Sequence, residues 1–260
     1  MLAVGDPKQL PASVTSQRAA NFGLDKSLLD RLMFGCGNEH VMLDVQYRMK
    51  PDISEFPSQC FYNGQLQNGK NVISTSYRSN ISVLNPDPYT FIQVNGKESR
   101  AGSGSYYNMD EARAVVRIVE LIRDASISND VKSWGSMEKL RIITFYTGQV
   151  KAIKDLLRPL GLGHVMVATV DSSQGCESDI VIVSFVRCGG KSPEQGTFRV
   201  GFLNDDRRIN VALTRAKFKL VCVGDAENAL LKSGVPTLSG LVKNAKQRRL
   251  LCSEDILLIS

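Results

Sequence analysis

The sequence reads Arg207-Arg208-Ile209-Asn210-Val211-Ala212-Leu213-Thr214-Arg215-Ala216 and continues after Lys217 into Phe218-Lys219-Leu220-Val221-Cys222-Val223-Gly224-Asp225. This pattern predicts a helix that leads into a buried strand. On a helix, Ile209, Leu213 and Ala216 fall at i, i+4 and i+7 and form one apolar stripe that faces the core. Arg208 and Arg215 share another line, about 10 Å apart along the axis. We therefore expect both guanidinium groups to point the same way.

Two arginines on one rigid helix are suited to binding a polyphosphate. Arginine keeps its charge at any working pH, and its planar fork fits phosphate oxygens. The alternative is that Arg215 complements the negative end of the helix while Arg208 is solvated. This segment alone leaves both interpretations open.

The composition is that of an ordinary globular protein. The 260 residues are 43% hydrophobic and 22% charged, which predicts one large or two small domains. No apolar run approaches the length of a membrane span, and the amino terminus does not resemble a signal peptide. The six cysteines form no CxxC pair and there are two histidines, so we expect no metal site and an intracellular setting, cytoplasmic or nuclear. The net charge of +6 permits an anionic partner.

Strand and helix patterns alternate along the chain, which predicts an α/β fold with a mostly parallel sheet in three layers. Asn108 and Glu111 have the spacing of a capping box at the start of one helix. The strands are expected at 1–4, 41–45, 89–94, 140–145, 165–170, 180–185 and 218–223. The helices are expected at 27–33, 52–61, 111–122, 149–160, 207–216, 226–232 and 238–249.

Four polar segments follow predicted strands, and in an open α/β sheet such segments gather along one edge, where ligands bind. They are Gly5-Asp6-Pro7-Lys8-Gln9, Gln46-Tyr47-Arg48, residues 171–177 and the helix that begins near Arg207. Together they supply an amide, an aromatic face, three arginines, a glycine turn and a carboxylate. This inventory is plausible for binding a nucleotide with its phosphates.

Four motifs in this order resemble motifs III, IV, V and VI of superfamily 1 helicases, in the group that contains the nonsense-mediated-decay helicase and senataxin. They are GDPKQLPA at residues 5–12, QYRM at 46–49, TVDSSQGCESDIVIVS at 169–184 and RRINVALTRAK at 207–217. The resemblance implies two RecA-like domains of the P-loop-NTPase type, with ATP between them and a nucleic-acid strand across both. Residues 1–40 would be the remnant of the first domain, and 41–260 the second domain with a C-terminal helical tail.

The resemblance also implies roles for individual residues at the nucleotide. Gln9 would sense the γ-phosphate, and Arg48 and Arg215 would contact it, with Arg215 as the arginine finger. Tyr47 would pack on the adenine and Glu177 would contact the ribose. The nucleotide site would further include Gly5, Asp6, Gly175 and Arg208. The alternatives are that Tyr47 belongs to the core and that Glu177 makes a surface ion pair.

The same resemblance assigns Thr169, Gly148 and Gln149 to the backbone of a single strand of RNA or DNA. Gln149 could instead merely begin a helix. The choice between RNA and DNA stays open, because backbone contacts carry little base information.

Two features depart from the family pattern. Cys176 stands where relatives often carry arginine, and neither GxxxxGK[ST] nor an Asp-Glu pair before Gly5 occurs. ATP and Mg²⁺ are therefore expected to be held mainly by an upstream RecA-like domain of the same protein, and the isolated chain is expected to be inactive. The leading hypothesis is the C-terminal half of an ATP-dependent helicase. The alternative is a truncated, non-catalytic module that binds single strands or a protein.

Overall fold

The computed structural model describes residues 3–12, 14, 16–37, 39–79, 81, 83–188 and 200–258. Its strands are β1 (Val45–Gln46), β2 (Gln67–Asn68), β3 (Tyr89–Gln93), β4 (Glu98–Arg100), β5 (Tyr106–Asn108), β6 (Leu140–Thr144), β7 (Met166–Thr169), β8 (Ser178–Ser184), β9 (Ala216–Gly224) and β10 (Leu251–Ser253). Its α-helices are α1 (Gln17–Asn21), α2 (Leu28–Asp30), α3 (Pro51–Phe61), α4 (Lys70–Ile73), α5 (Met109–Ser128), α6 (Thr147–Leu157), α7 (Asp206–Leu213) and α8 (Pro236–Gln247).

Six strands form one parallel sheet in the spatial order β10-β3-β9-β8-β6-β7. Two small pairs lie outside it: β1 with β2, and the antiparallel hairpin of β4 and β5. Because the six strands run the same way, their last residues share one edge and their first residues share the other. We call these the carboxyl edge and the amino edge.

The sheet is covered by helices on both faces, which confirms the three-layer α/β prediction. Ile143 and Val183 belong to an apolar cluster with residues of α3, α7 and α8. Their strand neighbours Ile142 and Ile182 belong to a second cluster with residues of α5 and α6. Successive strand side chains point to opposite faces, so strands covered on both sides need the continuous apolar runs seen in the sequence.

The stretch 207–216 is divided between a helix and a strand. The Asp205 side chain caps α7 by accepting from the Arg207 amide at 3.0 Å. The helix ends at Leu213, so Arg215 lies on the connection to β9 and shares no helical line with Arg208. The expectation that both guanidinium groups project from one helix is wrong, although the predicted apolar stripe is buried.

The capping box is confirmed in only one of its two halves. The Asn108 side chain accepts from the amides of Asp110 and Glu111 and caps α5. Glu111 does not return a bond to the Asn108 amide, which donates to Gln149 instead. The Glu111 carboxyl group turns inward and accepts from the Ser184 hydroxyl at 2.7 Å, because the last residue of β8 meets the first turn of α5 there.

Three predicted elements need correction. Residues 41–45 are not a buried strand: only Val45 joins β1, and Val41 is 91% exposed. Ala3 and Val4 lie in no strand, and residues 1–2 fall outside the described residues. The C-terminal tail is not wholly helical, because β10 follows α8 and pairs with β3 at the side of the sheet.

None of the helices in the described residues combines the length and the apolar character that a membrane crossing requires.

Candidate functional site

The predicted site residues divide between the two edges of the sheet, so the expectation of a single edge is wrong. Glu177 directly precedes β8 and Arg215 directly precedes β9, which places both at the amino edge. Thr169 ends β7 and Gly148 lies in the first turn after β6, at the carboxyl edge. The physical reason is that a connection between parallel strands starts at one edge and ends at the other.

Arg48 is held at the amino edge by the turn between β1 and α3. The Gln46 side-chain oxygen accepts from the amides of Arg48 and Met49 at 2.9 and 2.8 Å, which fixes the turn. The Lys50 amide donates to the Lys217 carbonyl and ties the turn to β9. These bonds explain why a short polar segment outside the sheet presents its arginine at one place.

Glu177 lies between two cations. Arg48 Nε donates to Glu177 Oε2 at 2.7 Å, and Lys217 Nζ lies 2.9 Å from Glu177 Oε1. The hydrogen bond from Arg48, and then that from Lys217, lowers the pKa of the Glu177 carboxyl. The surface ion pair considered as an alternative for Glu177 is therefore present. The Glu177 carboxylate still has lone pairs free to accept from a further donor.

Arg215 is 2% exposed, and the acceptors recorded for it in the described residues are all uncharged. They are the Val211 and Cys176 carbonyls, the Thr214 hydroxyl and the Gln9 amide oxygen. Burial, and then the positive charge of nearby Arg48, lowers the pKa of Arg215 to about 10.

Arg48 and Arg215 meet at Thr214. Arg48 Nη1 donates to the Thr214 carbonyl at 3.2 Å, and Arg215 Nη2 donates to the Thr214 hydroxyl at 2.9 Å. Two neighbouring guanidinium groups thus come from separate segments. Such a pair is suited to binding an anion.

The segment around Asp6 docks against Arg215 and α7. Asp6 accepts from Gln9 Nε2 at 2.9 Å and from the Tyr62 hydroxyl at 2.7 Å. Asn210 Nδ2 donates to the Lys8 carbonyl and to the Tyr62 hydroxyl, so α7 holds the same segment. Gly5 is packed against α2, since a Cβ there would lie 2.9 Å from Leu29.

Tyr47 is a surface residue, and the alternative that it belongs to the core is wrong. It is 64% exposed, and its ring lies directly against Gly69, where a Cβ would force the ring to shift. Asn71 Nδ2 donates to the Tyr47 carbonyl at 2.9 Å and fixes the backbone. Tyr47 therefore has an exposed ring that lies against Gly69, and its backbone is held by Asn71.

Gly175 and Arg208 have different surroundings. Gly175 has φ +77°, a conformation that favours glycine, where the chain turns towards β8. Arg208 donates to Asp171 at 3.0 Å and to Asp205 at 3.0 Å. Because both partners lie at the carboxyl edge, Arg208 lies apart from Arg48 and Arg215.

Of the three residues expected to contact a strand, Thr169 is the one at the surface. Its hydroxyl lies 3.0 Å from that of Ser172. The Gly148 amide is taken by Ser105 Oγ at 3.0 Å, and a Cβ would lie 2.7 Å from the Tyr106 carbonyl. Gly148 is thus covered by the β4–β5 hairpin, which a local motif cannot predict.

Gln149 is fully buried inside the fold. Its amide oxygen accepts from the Asn108 amide, and its nitrogen donates to the Asn108 carbonyl and to Ser184. The polar groups of the Gln149 side chain are therefore occupied by bonds within the fold. It also lies within the first turns of α6, as the alternative expected.

Three further residues contact the predicted site residues at the amino edge and were not predicted from the sequence: Tyr62, Asn210 and Lys217. The available signal was weak: Asn210 is a polar residue inside an apolar helical stretch, and it is fully buried. In the described residues, no group of three His, Cys, Asp or Glu side chains is placed to hold a metal ion.

Comparisons with known proteins agree on a family. A sequence family described as an AAA domain matches residues 24–227 of this chain. A regulator of nonsense transcripts 1 homolog from Drosophila melanogaster is 39% identical over 233 residues, covering 86% of this chain and 18% of the relative. Helicase sen1 of Schizosaccharomyces pombe is 34% identical over 261 residues, covering 98% of this chain and 14% of the relative.

An archaeal relative extends the comparison. An uncharacterized ATP-dependent helicase of Methanocaldococcus jannaschii is 35% identical over 246 residues, covering 90% of this chain and 33% of the relative. The chain thus spans between 14% and 33% of the length of these relatives. Together with the parallel sheet, the family match confirms the RecA-like α/β fold class. The chain belongs to the superfamily 1 helicases, in the group of the nonsense-transcript regulators and Sen1, and corresponds to a C-terminal part of their helicase region.

Proposed function

We propose that this chain is the C-terminal RecA-like half of an ATP-dependent helicase that moves along single-stranded RNA or DNA. Arg48 and Arg215 complete an ATP site whose phosphate cradle and Mg²⁺ ligands lie mainly on an upstream RecA-like domain of the same protein. The observation that carries this proposal is that the guanidinium groups of Arg48 and Arg215, which come from two separate segments, meet at Thr214.

The electrostatics of this pair favour an anion. A buried charge without an opposite partner is costly, and a like charge nearby raises the cost. The terminal phosphate of ATP would offset both. When charge builds on the transferring phosphoryl group, a fixed guanidinium stabilises the transition state more than the ground state. Arg215 then acts as the arginine finger and Arg48 as a second phosphate contact.

The neighbouring residues support a nucleotide in this place. Gln9 bonds both Arg215 and Asp6, so a phosphate contact would be transmitted to the 5–9 segment. The exposed ring of Tyr47 suits an adenine, and the free lone pairs of Glu177 suit a ribose hydroxyl. Arg208 is left out of the nucleotide site and is placed with the strand.

Exposed apolar side chains support a contact between residues 1–40 and another domain. Large apolar side chains that are exposed to solvent become buried when a second domain packs against them. In the described residues of this region, the large exposed side chains are Val4, Phe22, Leu24, Leu28 and Phe34. The boundary near residue 40 and the cytoplasmic or nuclear setting remain predictions of this proposal.

The strand is proposed to lie along the carboxyl edge, where Ser172 is exposed and Thr169 is partly exposed. Helix α7 then connects the two ligand sites, because its first turn lies at the carboxyl edge and it ends at Leu213, two residues before Arg215. Its eight residues span about 12 Å. Movement at the phosphate can therefore reach the strand through one rigid element.

The test joins this chain to the segment that precedes the matched region in the Drosophila relative. ATP hydrolysis is measured with and without a single strand. We expect Arg215→Ala to lower the stimulated rate by about 10³- to 10⁵-fold, the usual contribution of an arginine finger.

Arg158→Ala is the matched control, since that arginine forms an exposed ion pair with Asp155. It should leave the rate unchanged, and urea unfolding should show that both variants are folded. An undiminished rate in a folded Arg215→Ala protein would refute the proposed site.

A further inference from the structure

A continuous series of rings and guanidinium groups lies along the carboxyl edge. Arg208 Cζ lies 4.9 Å from the ring centre of Phe202, and the Phe202 and Tyr146 rings are 5.5 Å apart. Tyr146 and Tyr106 are 5.7 Å apart, and Arg100 Cζ lies 5.4 Å from the Tyr106 ring. We call these five side chains the edge series.

The fold fixes Phe202 at the surface. Phe202 is 52% exposed, whereas Tyr146 beneath it is buried. The Tyr146 hydroxyl donates to the Val200 carbonyl at 3.1 Å, just before the turn Gly201–Asn204 that carries Phe202. A Cβ at Gly201 would lie 2.8 Å from the Tyr146 oxygen, so this turn is packed tightly. The exposure of Phe202 is therefore built into the packing.

The charges of the edge series differ at its two ends. Arg208 is compensated by Asp171 and Asp205. Arg100 at the other end is exposed, and the bond recorded for its side chain in the described residues goes to the Gly104 carbonyl. Arg100 thus presents a guanidinium that no described carboxylate neutralises.

An exposed aromatic ring followed by a free cation matches the chemistry of a single nucleic-acid strand. Every base has a π-face, so an aromatic side chain binds it without regard to sequence, and arginine binds the phosphates between bases. The Arg208–Asp171 ion pair joins the series to the segment that follows Thr169. The series is therefore continuous with the exposed part of the strand site.

We propose that Phe202 contacts a base, and Arg100 a phosphate, of a single strand bound along the carboxyl edge. This proposal rests on the proposed function and adds to it two residues that no motif supplies. Because Gly148 and Gln149 are covered, the strand contacts of this edge come from the hairpin and from the turn before α7.

The test of Phe202 compares a normal strand with an abasic strand of equal length, using the joined protein described above and fluorescence anisotropy. Phe202→Ala should weaken binding of the normal strand about 5- to 20-fold. This is the lower part of the range for aromatic–base contacts, because half of the ring is already covered. Binding of the abasic strand should not change. RNA and DNA strands should respond alike.

The test of Arg100 uses salt. Arg100→Ala should reduce the slope of log affinity against log salt by about 0.7, the value for one phosphate on a single strand, whereas Phe202→Ala should leave the slope unchanged. Ile127→Ala is the control, because Ile127 is an exposed apolar residue at the far end of α5.

The outcomes separate this proposal from the proposed function. If Phe202→Ala weakens both strands equally, or neither, the base contact is refuted while ATP hydrolysis can still be strand-stimulated. An unchanged slope in Arg100→Ala refutes the phosphate contact. If Phe202→Ala instead weakens association with a protein, the edge is a protein interface. If the parent protein binds no strand at all, the proposed function fails as well.

Discussion

At the scale of single residues, Arg215 and Glu111 are both buried ionisable groups, and burial moves their pKa values in opposite directions. Burial lowers the pKa of Arg215 to about 10, so its charge persists at neutral pH. Burial raises the pKa of Glu111 to about 8, against the lowering effect of its hydrogen bonds from Ser184 and Val186. The folded protein therefore keeps a costly cation at the amino edge and a neutral carboxyl group at the carboxyl edge.

The Glu111 shift predicts how stability depends on pH. Between about pH 4.5 and pH 8 the folded protein retains a proton that the unfolded chain releases. The free energy of unfolding should thus fall as pH rises through this window, by at most about 1.4 kcal/mol per pH unit. Glu111→Gln removes the titrating group and should flatten this profile in urea unfolding from pH 5 to pH 8.

Glu138→Gln, which changes an exposed glutamate, is the control and should keep the parent profile. A Glu111→Gln protein with the parent slope would show that Glu111 is ionised in the folded state.

At the scale of elements, α7 joins the sheet core to the segment around Asp6. Its apolar stripe packs in the core, whereas the Asn210 side chain donates to the Lys8 carbonyl and to the Tyr62 hydroxyl. Tyr62 follows α3 and bonds Asp6, so two helices hold one short segment through a single hydroxyl. Local patterns cannot predict this arrangement, because Tyr62 and Asn210 are far apart in the sequence.

Removing that hydroxyl should loosen the segment. Tyr62→Phe loses the bonds to Asp6 and Asn210, and hydrogen exchange at residues 5–9 should accelerate about tenfold, as expected for a loss of about 1.4 kcal/mol. Tyr107→Phe is the matched control, since no described hydrogen bond involves its hydroxyl. Equal protection of residues 5–9 in Tyr62→Phe would show that other contacts hold the segment.

At the scale of the whole molecule, the sequence predicted the layers better than the site. The alternation of strand and helix patterns sufficed to predict a parallel sheet, and continuous apolar runs such as 180–185 sufficed to predict strands covered on both faces. The motif resemblance grouped Gln9, Arg48 and Arg215, and the structure places them together, although their roles stay proposals. The sequence did not predict two edges or the covering of Gly148, because both depend on where distant segments pack.

The two edges of the sheet carry different kinds of side chain. Cations and an exposed tyrosine gather at the amino edge, and the edge series lies at the carboxyl edge. One short helix spans the distance between them. Under the proposed function, this separation lets the nucleotide and the strand bind at the same time.

We propose that Arg215 stabilises the transferring phosphoryl group rather than ATP itself. Single-turnover hydrolysis at saturating ATP, measured in the joined protein together with ATP affinity, tests it most directly. We expect Arg215→Ala to lower the hydrolysis rate by about 10³-fold or more while ATP affinity changes little. An unchanged rate, or a loss confined to ATP affinity, would contradict it.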